Sequence, residues 1–469
     1  MYQKYLEALY SRIPLGESFD IIERKMKIGG RQAVLFFVQG LTDGEKMQRI
    51  MDYLMQIKPE KMEGVTSTDR FIAGQLPFMD VSVTDDVEKA LRSLYSGLVP
   101  LMVEGLDQMI IIDVRAYPSR SVQEPEKEKS LRGAKDGFSE GFMNNIGLIR
   151  RRIRSDNLVF KAFSVGKLSK TDVSMAYIKG NADEKLIDKM EILLKSMEND
   201  EKLDALTVGD QSLLEKMMMK KNSFNRFNPF PKVRYSQRPD IISAHIAEGK
   251  IALIVDNSPT VMLLPVGIFD FLQDVDDYYF PEVTGNYFRI LRTLNFIVIL
   301  LMTPVYLLIA THKELTPEML AFFVPDENFA IPLFWQFILL EIAVDALKLA
   351  SLNTPDSLGM SLSVIGALIL GEFSINSGWF IPQTILCMAV VALASFTQPS
   401  IELSYATKFT RITMLIGAYL FGVWGIAGAG TISFVVMSTT KTLSGDSYLY
   451  PLIPFRWDKL KRLLFRTKV

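Results

Sequence analysis

Four ionisable side chains stand out within apolar stretches in the second half of the sequence. They are Glu341, Asp345, Lys348 and Glu372. The first three are spaced i, i+4 and i+7, so one face of a helix would carry all of them. Ionisable groups at membrane depth are costly and usually face a polar interior or an ion pathway. The structural alternative is that Asp345 and Lys348 neutralise each other near a membrane edge and that Glu372 lies at the interface.

The stretch that leads to Glu372 has the composition of a narrow pore. Its sequence, MSLSVIGALILG, is apolar and rich in small residues. An apolar constriction of this kind can close by losing its water, whereas small residues also permit close packing between helices. Both interpretations stay open. The residues predicted to line a pore follow one helix face, and they are Ser361, Val364, Ile365, Leu368 and Glu372.

Four arginines lie close together in a polar segment of the first half. They are Arg150, Arg151, Arg152 and Arg154. One interpretation is an amphipathic helix whose basic side chains pair with Glu124, Glu126 and Glu128. The others are a subunit contact, a face for anionic lipid or a nucleic-acid contact. A net charge of −1 argues against nucleic acid, which would require a basic surplus.

Several classes of catalytic site are not indicated by the sequence. The single cysteine, Cys387, and the two histidines, His245 and His312, are too few and too widely spaced for a His/Cys metal cluster. Neither a GxxxxGK[ST] loop nor a GxGxxG turn after a strand is present. We therefore expect no catalytic residue, no cofactor and no metal.

The elements that would position these residues fall into two regions. In the first region, two stretches repeat one order: an apolar strand, an amphipathic helix, a second helix ending on glycine (Gly97 and Gly249), and two more strands. Apolar strands that alternate with amphipathic helices predict an α/β region of two similar subdomains. The predicted divisions are a first subdomain (1–118), a polar connection (119–155), a second subdomain (156–285), an all-α polytopic membrane domain (286–455) and a basic tail (456–469).

The second region has the composition of a membrane domain. A span needs about 20 apolar residues, and four or five segments qualify. The basic tail predicts a cytoplasmic C-terminus, and the absence of a signal peptide at the N-terminus predicts that this end is cytoplasmic too. The number of crossings is then even, so either one segment does not span or 411–438 breaks into two. The five segments are 293–311, 331–352, 357–375, 378–397 and 411–438.

Several long motifs resemble one family. They are VRAYPSRSVQEPEKEKSLRGAKDGFSEGFMNNIGLIRRRIRS, NPFPKVRYSQRPD, IALIVDNSPTVMLLPVGIFDFLQDVDDYY and ALASFTQPSIELSYATKFTR. These motifs are similar to the signatures of the A subunits of GerA-type spore germination receptors, over about residues 18 to 455. The resemblance implies a multi-pass protein of the spore inner membrane that takes part in germination, with the soluble region in the cytoplasm.

The resemblance also implies partners. Family A subunits are thought to form ring-shaped homo-oligomers, with a pentamer expected, that act as gated channels for monovalent cations. Receptor A subunits work with other receptor subunits, and one branch of the family resembles an amplifier that associates with another small membrane protein. Membrane lipids complete the expected partners, and nucleic acid is not among them. Two alternatives remain: a transporter subunit, or a membrane-anchored signalling or scaffold protein without a pore.

Overall fold

The computed structural model divides the chain into two compact units, which are described separately. The first unit comprises residues 1–224 and 233–265, and the second comprises 225–232 and 266–469. The structure describes residues 2–76, 80–117, 133–167, 170–198, 214–215, 218–219, 228–274, 276–312, 323–325, 330–353, 366 and 368–464.

The first half of the first unit is a five-stranded sheet with helices on both faces. The strand order is β1-β2-β4-β5-β3, and every pair is antiparallel. The helices α2 and α3 pack on one face and α1 and α4 on the other, so β4 and β5 are buried along their whole length. The elements are α1 (Tyr2–Tyr10), β1 (Ile21–Ile28), β2 (Arg31–Val38), α2 (Gly44–Met55), α3 (Thr68–Gln75), β3 (Val81–Thr84), α4 (Val87–Tyr95), β4 (Val99–Val103) and β5 (Met109–Ile112).

The second half of the first unit repeats this topology. Its strand order is β6-β7-β9-β10-β8, again with antiparallel pairs only. The predicted α/β region with two sheets is therefore confirmed. The elements are α5 (Phe142–Arg152), β6 (Leu158–Val165), β7 (Thr171–Ile178), α6 (Glu184–Lys195), β8 (Arg234–Ser236), α7 (Pro239–Ala247), β9 (Ile251–Val255) and β10 (Val261–Leu264).

Equivalent glycines constrain the two halves in the same way. Gly97 follows α4 with φ of +87°, and Gly249 follows α7 with φ of +94°. A Cβ on Gly97 would lie 2.9 Å from the carbonyl oxygen of Leu41, and one on Gly249 would lie 2.6 Å from that of Asn181. Because L side chains rarely adopt this backbone conformation, glycine is required at both helix ends.

The second unit is helical. Its apolar core forms where four helices, α10, α11, α13 and α14, meet. A π-helical turn, Leu368–Phe373, precedes α12. The helices are α8 (Ile268–Leu272), α9 (Asp276–Tyr279), α10 (Glu282–Thr311), α11 (Leu333–Asn353), α12 (Ser374–Asn376), α13 (Pro382–Phe396), α14 (Ile401–Phe421), α15 (Val423–Thr439) and α16 (Trp457–Leu464).

The last apolar stretch folds as two helices that turn back on each other. Gly422 separates α14 from α15 with φ of +60°. On either side of this turn, Gly417 of α14 and Gly425 of α15 are in close contact. A Cβ on Gly417 would lie 2.5 Å from the carbonyl oxygen of Gly425, so the two backbones touch. The segment 411–438 is thus divided between two helices, and the first of them begins at Ile401.

The helices differ in length and apolar character. Of the described helices, α10 alone is both long enough and apolar enough to cross a membrane, and α13 and α15 are apolar but shorter. The predicted helical region at the C-terminal side is confirmed. The predicted segment 357–375 lies mostly outside the described residues, which resume there with Gly366 and 368–373.

Candidate functional site

Two helices of the second unit carry four charged side chains on facing sides. Glu341 and Asp345 are one turn apart on α11, and Lys408 and Arg411 are one turn apart on α14. The start of α14 is fixed by Ser400, whose Oγ accepts a hydrogen bond from the backbone N of Leu403 at 3.1 Å. Residues three or four apart share a helix face, so each pair projects from one side of its own helix. These two sides face each other.

These four residues form alternating ion pairs, which we call the charge ladder. Arg411 Nε donates to Glu341 Oε1 at 2.8 Å, and its Nη2 lies 2.5 Å from the same oxygen. Lys408 Nζ lies 3.3 Å from Glu341 Oε2 and also pairs with Asp345. Arg411 Nη1 donates to the backbone carbonyl of Ile299, which attaches the ladder to α10. The order of charges is therefore Arg411, Glu341, Lys408, Asp345.

Burial decreases along the ladder. The side chains of Arg411 and Glu341 are 5% and 6% exposed, that of Lys408 is 13% exposed and that of Asp345 is 31% exposed. Two acids and two bases balance each other, which offsets the cost of withdrawing them from water. Removing one partner of a buried pair leaves the other charge uncompensated and typically costs about 3–5 kcal/mol.

A small cavity of about 30 Å³ lies against the ladder. Lys348 also lines it, and the Nζ of this residue lies 5.3 Å from the centre of the Phe396 ring. A polar cavity larger than about 10–15 Å³ can hold a water molecule. Within the part of the chain that the structure describes, the buried Oδ1 of Asp345 accepts no hydrogen bond, so a water molecule there would have a partner.

The sequence placed Glu341, Asp345 and Lys348 on one helix face, but it did not identify their partners. The ion pair of Asp345 is to Lys408, while Lys348 lies over an aromatic ring. Lys408 and Arg411 were missed as site residues. Their signal was available, because they are two of the few basic residues between 293 and 454 and are spaced i, i+3.

The predicted pore-lining residues are only partly described. Ser361, Val364 and Ile365 lie outside the described residues. Leu368 begins the π-helical turn that ends at Phe373. Glu372 lies in the same turn and is exposed. The pore-lining assignment therefore stays a prediction.

The arginine cluster contains one fully buried member. Arg150 Nε and Nη2 donate to the two carboxylate oxygens of Asp20 at 2.9 and 3.0 Å, and both side chains are 0% exposed. Its Nη1 donates to the carbonyl of Leu158 at 2.9 Å. The guanidinium lies over the rings of Tyr95 and Phe160, at 5.4 and 4.9 Å from their centres. Arg150 therefore joins the first half of the unit to the second.

The other three arginines have more exposed positions. Arg152 pairs with Asp136 at 2.6 Å, and Arg151 lies 4.7 Å from the centre of the Tyr117 ring. Arg151 and Arg154 are exposed. The acids at 124, 126 and 128, with which pairing was predicted, lie outside the described residues. Because Arg150 is enclosed by its own chain, the hypothesis of a subunit contact now rests on its three neighbours.

The described residues hold no group of three or more His, Cys, Asp or Glu side chains that could bind a metal ion. Cys387 is fully buried in the core of the helical unit. His245 Nδ1 lies 3.1 Å from a Glu248 carboxylate oxygen and its Nε2 lies 3.3 Å from Arg234 Nη1, so it belongs to a local polar cluster.

Comparison with known proteins gives a consistent result. The family model described as Bacillus/Clostridium GerA spore germination protein matches residues 10–469. The chain is 33% identical to Stage V sporulation protein AF of Bacillus subtilis over 98% of this chain and 91% of that protein. It is 28% identical to Spore germination protein KA of Bacillus subtilis, over 97% and 82%.

Among solved structures, the N-terminal domain of the A subunit of the Bacillus megaterium spore germinant receptor GerK3 matches 55% of this chain and 92% of that domain. The identity is 24% and the TM-score is 0.39.

Proposed function

Because this chain belongs to the GerA family of spore germination proteins, we propose that it is a subunit of an oligomeric cation channel that promotes ion release during germination. The observation that carries the proposal is the charge ladder. Four ionisable side chains form ion pairs between α11 and α14, two largely apolar helices of this unit. Such groups inside membrane domains are rare, and they commonly mark an ion pathway or the elements that gate one.

The proposed membrane domain comprises α10, α11, α13, α14 and α15. The length and apolar character of α10 support this assignment, as do the shorter apolar helices α13 and α15. The six basic residues after Phe455 favour a cytoplasmic C-terminus. We place the protein in the spore inner membrane as a multi-pass protein, with the first unit in the cytoplasm.

Assembly as a homo-oligomer is supported by the surface of α15. Gly425 is the one buried residue of this 17-residue helix, which packs against α14. Between the two helices an apolar groove of about 830 Å³ is open and lined by Phe409, Leu420, Trp424 and Ile432. We propose that α15 completes its packing within a ring of copies, expected to be a pentamer. Receptor subunits or another small membrane protein would be further partners.

We retain the prediction that Ser361, Val364, Ile365, Leu368 and Glu372 line the pore. This segment follows α11 in the chain, and the charge ladder links α11 to α14. In this arrangement the apolar residues form the closed gate and Glu372 attracts cations at the mouth. The ladder holds the preceding helix in position and is not itself the gate.

Flux measurements on proteoliposomes test the proposal. The purified chain is reconstituted, oligomer size is measured, and potassium efflux is followed. The double variant Val364→Ala, Leu368→Ala is expected to leak potassium because smaller side chains make the constriction wider and less apolar, so that it admits water. Glu372→Gln is expected to lower cation flux and leave assembly unchanged, because only the attracting charge is removed.

The matched control is Lys441→Gln, which removes an exposed charge elsewhere in the same unit. It should change neither flux nor oligomer size. A Val364→Ala, Leu368→Ala variant that assembles normally and has the flux of the unchanged chain would move the pore to another helix. A reconstituted oligomer with no flux in any variant would refute the channel and favour a scaffold.

A further inference from the structure

The last described segment of the chain presents aromatic rings to the outside. Phe455 and Trp457 are 64% and 58% exposed. Their rings stack, with centres 6.3 Å apart and an interplanar angle of 28°. On α16, which begins at Trp457, Leu460 points inward and is 7% exposed. Among the described side chains of α16, Leu460 is the buried one, and the aromatic pair at the start of the helix is exposed.

The same segment concentrates positive charge. Arg456 and Lys461 are both exposed. Arg456 immediately precedes α16, and Lys461 lies in the middle of that helix. The sequence after Phe455 contains six basic residues and one acid, Asp458, in a chain whose net charge is −1. Exposed aromatic rings within a basic segment match a lipid headgroup region, where aromatic side chains are enriched and anionic phosphates attract lysine and arginine.

The position of α16 favours a membrane over a protein partner. It lies beside α10, which is long and apolar enough to cross a bilayer. A short basic helix beside such a helix is suited to the membrane surface. Basic residues and aromatic rings can then contact headgroups without any further folding.

We propose that residues 455–464 are an interfacial anchor that binds anionic phospholipid headgroups, with the Phe455–Trp457 pair at headgroup depth. The proposal rests on the proposed membrane location of the helical unit. It adds a lipid-binding function to a tail that otherwise would only orient the chain. Binding should depend on salt, because exposed charges are screened over about 8–10 Å at ionic strengths of 0.1–0.15 M.

Fluorescence quenching tests this in the full-length protein. Trp335, Trp379 and Trp424 are replaced by Phe, which leaves Trp457 as the only tryptophan of four. The chain is placed in lipid nanodiscs that contain equal mole fractions of brominated lipid, either phosphatidylglycerol or phosphatidylcholine. Enrichment of the anionic lipid should make its quenching at least about twofold stronger, since each basic residue near the surface adds attraction.

The preference should disappear in 0.5 M NaCl and in the variant Arg456→Gln, Lys461→Gln. Removal of two exposed lysines from the first unit, Lys58→Gln with Lys61→Gln, is the charge-matched control and should leave it intact. Equal quenching by the two lipids at low salt, or quenching by neither, would overturn the anchor. Failure of the chain to enter nanodiscs would instead count against the membrane location, so the two proposals fail separately.

Discussion

The Arg150–Asp20 pair of the first unit and the charge ladder of the second unit use the same chemistry in different ways. The pair of Arg150 and Asp20 is fully enclosed, and both carboxylate oxygens accept from the guanidinium. In the ladder, Lys408 is shared by two acids, and Asp345 is partly exposed beside a cavity. An enclosed pair fastens two parts of a fold, whereas a shared partner next to a cavity allows the charges to exchange partners.

The environments explain the difference. The Arg150 guanidinium lies over two aromatic rings, and its displacement would leave a buried carboxylate without its counter-charge in these surroundings. Lys408 has two carboxylate partners, Glu341 and Asp345, so the loss of one leaves the other in place. The first arrangement is expected to be rigid, and the second is expected to tolerate small shifts between α11 and α14.

The largest expected effect comes from breaking the enclosed pair. Arg150→Met would leave Asp20 buried without a counter-charge, which costs about 3–5 kcal/mol. Thermal unfolding of the first unit, monitored in the full chain by hydrogen exchange of β1 and β6, measures the loss of stability. Arg154→Met, an exposed arginine near the same helix, is the control and should change little. Equal stability of the two variants would show that Asp20 finds another partner.

The ladder should give a graded response. Glu341→Gln removes the acid shared by Arg411 and Lys408, and it should approach the cost of breaking a buried pair, about 3 kcal/mol. Asp345→Asn should cost less than about 1 kcal/mol, because that carboxylate is 31% exposed and water can replace it. Melting of the purified protein in detergent ranks the two variants. The reverse ranking would mean that Asp345, and not Glu341, holds the two helices together.

The sequence predicted structure that depends on local interactions and missed structure that depends on residues far apart in the chain. The helices after Asp43, Asp86 and Asp183 were predictable because each aspartate caps its own helix within three residues. The strands β1 and β6 were not predicted. β1 reads IIERKMKI, with exposed polar residues at the edge of a sheet, so the apolar run that signals a central strand is absent.

The charge clusters were harder to predict because their partners are distant in the chain. Asp20 and Arg150 are separated by 130 residues, and Glu341 and Arg411 by 70. A run of arginines usually indicates a solvated face. Arg150 departs from that rule because α5 packs against α7 and β9, and Arg150 is buried there. The spacing of Glu341 and Asp345 showed which helix face matters, but not which helix lies opposite.

The duplicated glycines test whether the two halves of the first unit respond alike. Gly97→Ala and Gly249→Ala each place a Cβ within 3 Å of a carbonyl oxygen at a positive φ. Strain of this kind costs about 1–3 kcal/mol, and we expect losses within that range for both. Gly64→Ala, also at positive φ but with open space around it, isolates the conformational part. A large loss at only one helix end would show that one half dominates the stability of the unit.

The smallest effect is expected at the surface of the same unit. Lys179 pairs with Glu17 at 3.0 Å, and the side chains are 60% and 45% exposed. Like Arg150 and Asp20, this pair joins the segment before β1 to the second half of the unit, so connectivity is matched and burial differs. Lys179→Gln should cost less than about 1 kcal/mol, and the loss should vanish at high salt. If Lys179→Gln destabilised the unit as much as Arg150→Met, connection between the halves and not burial would determine the strength of an ion pair here.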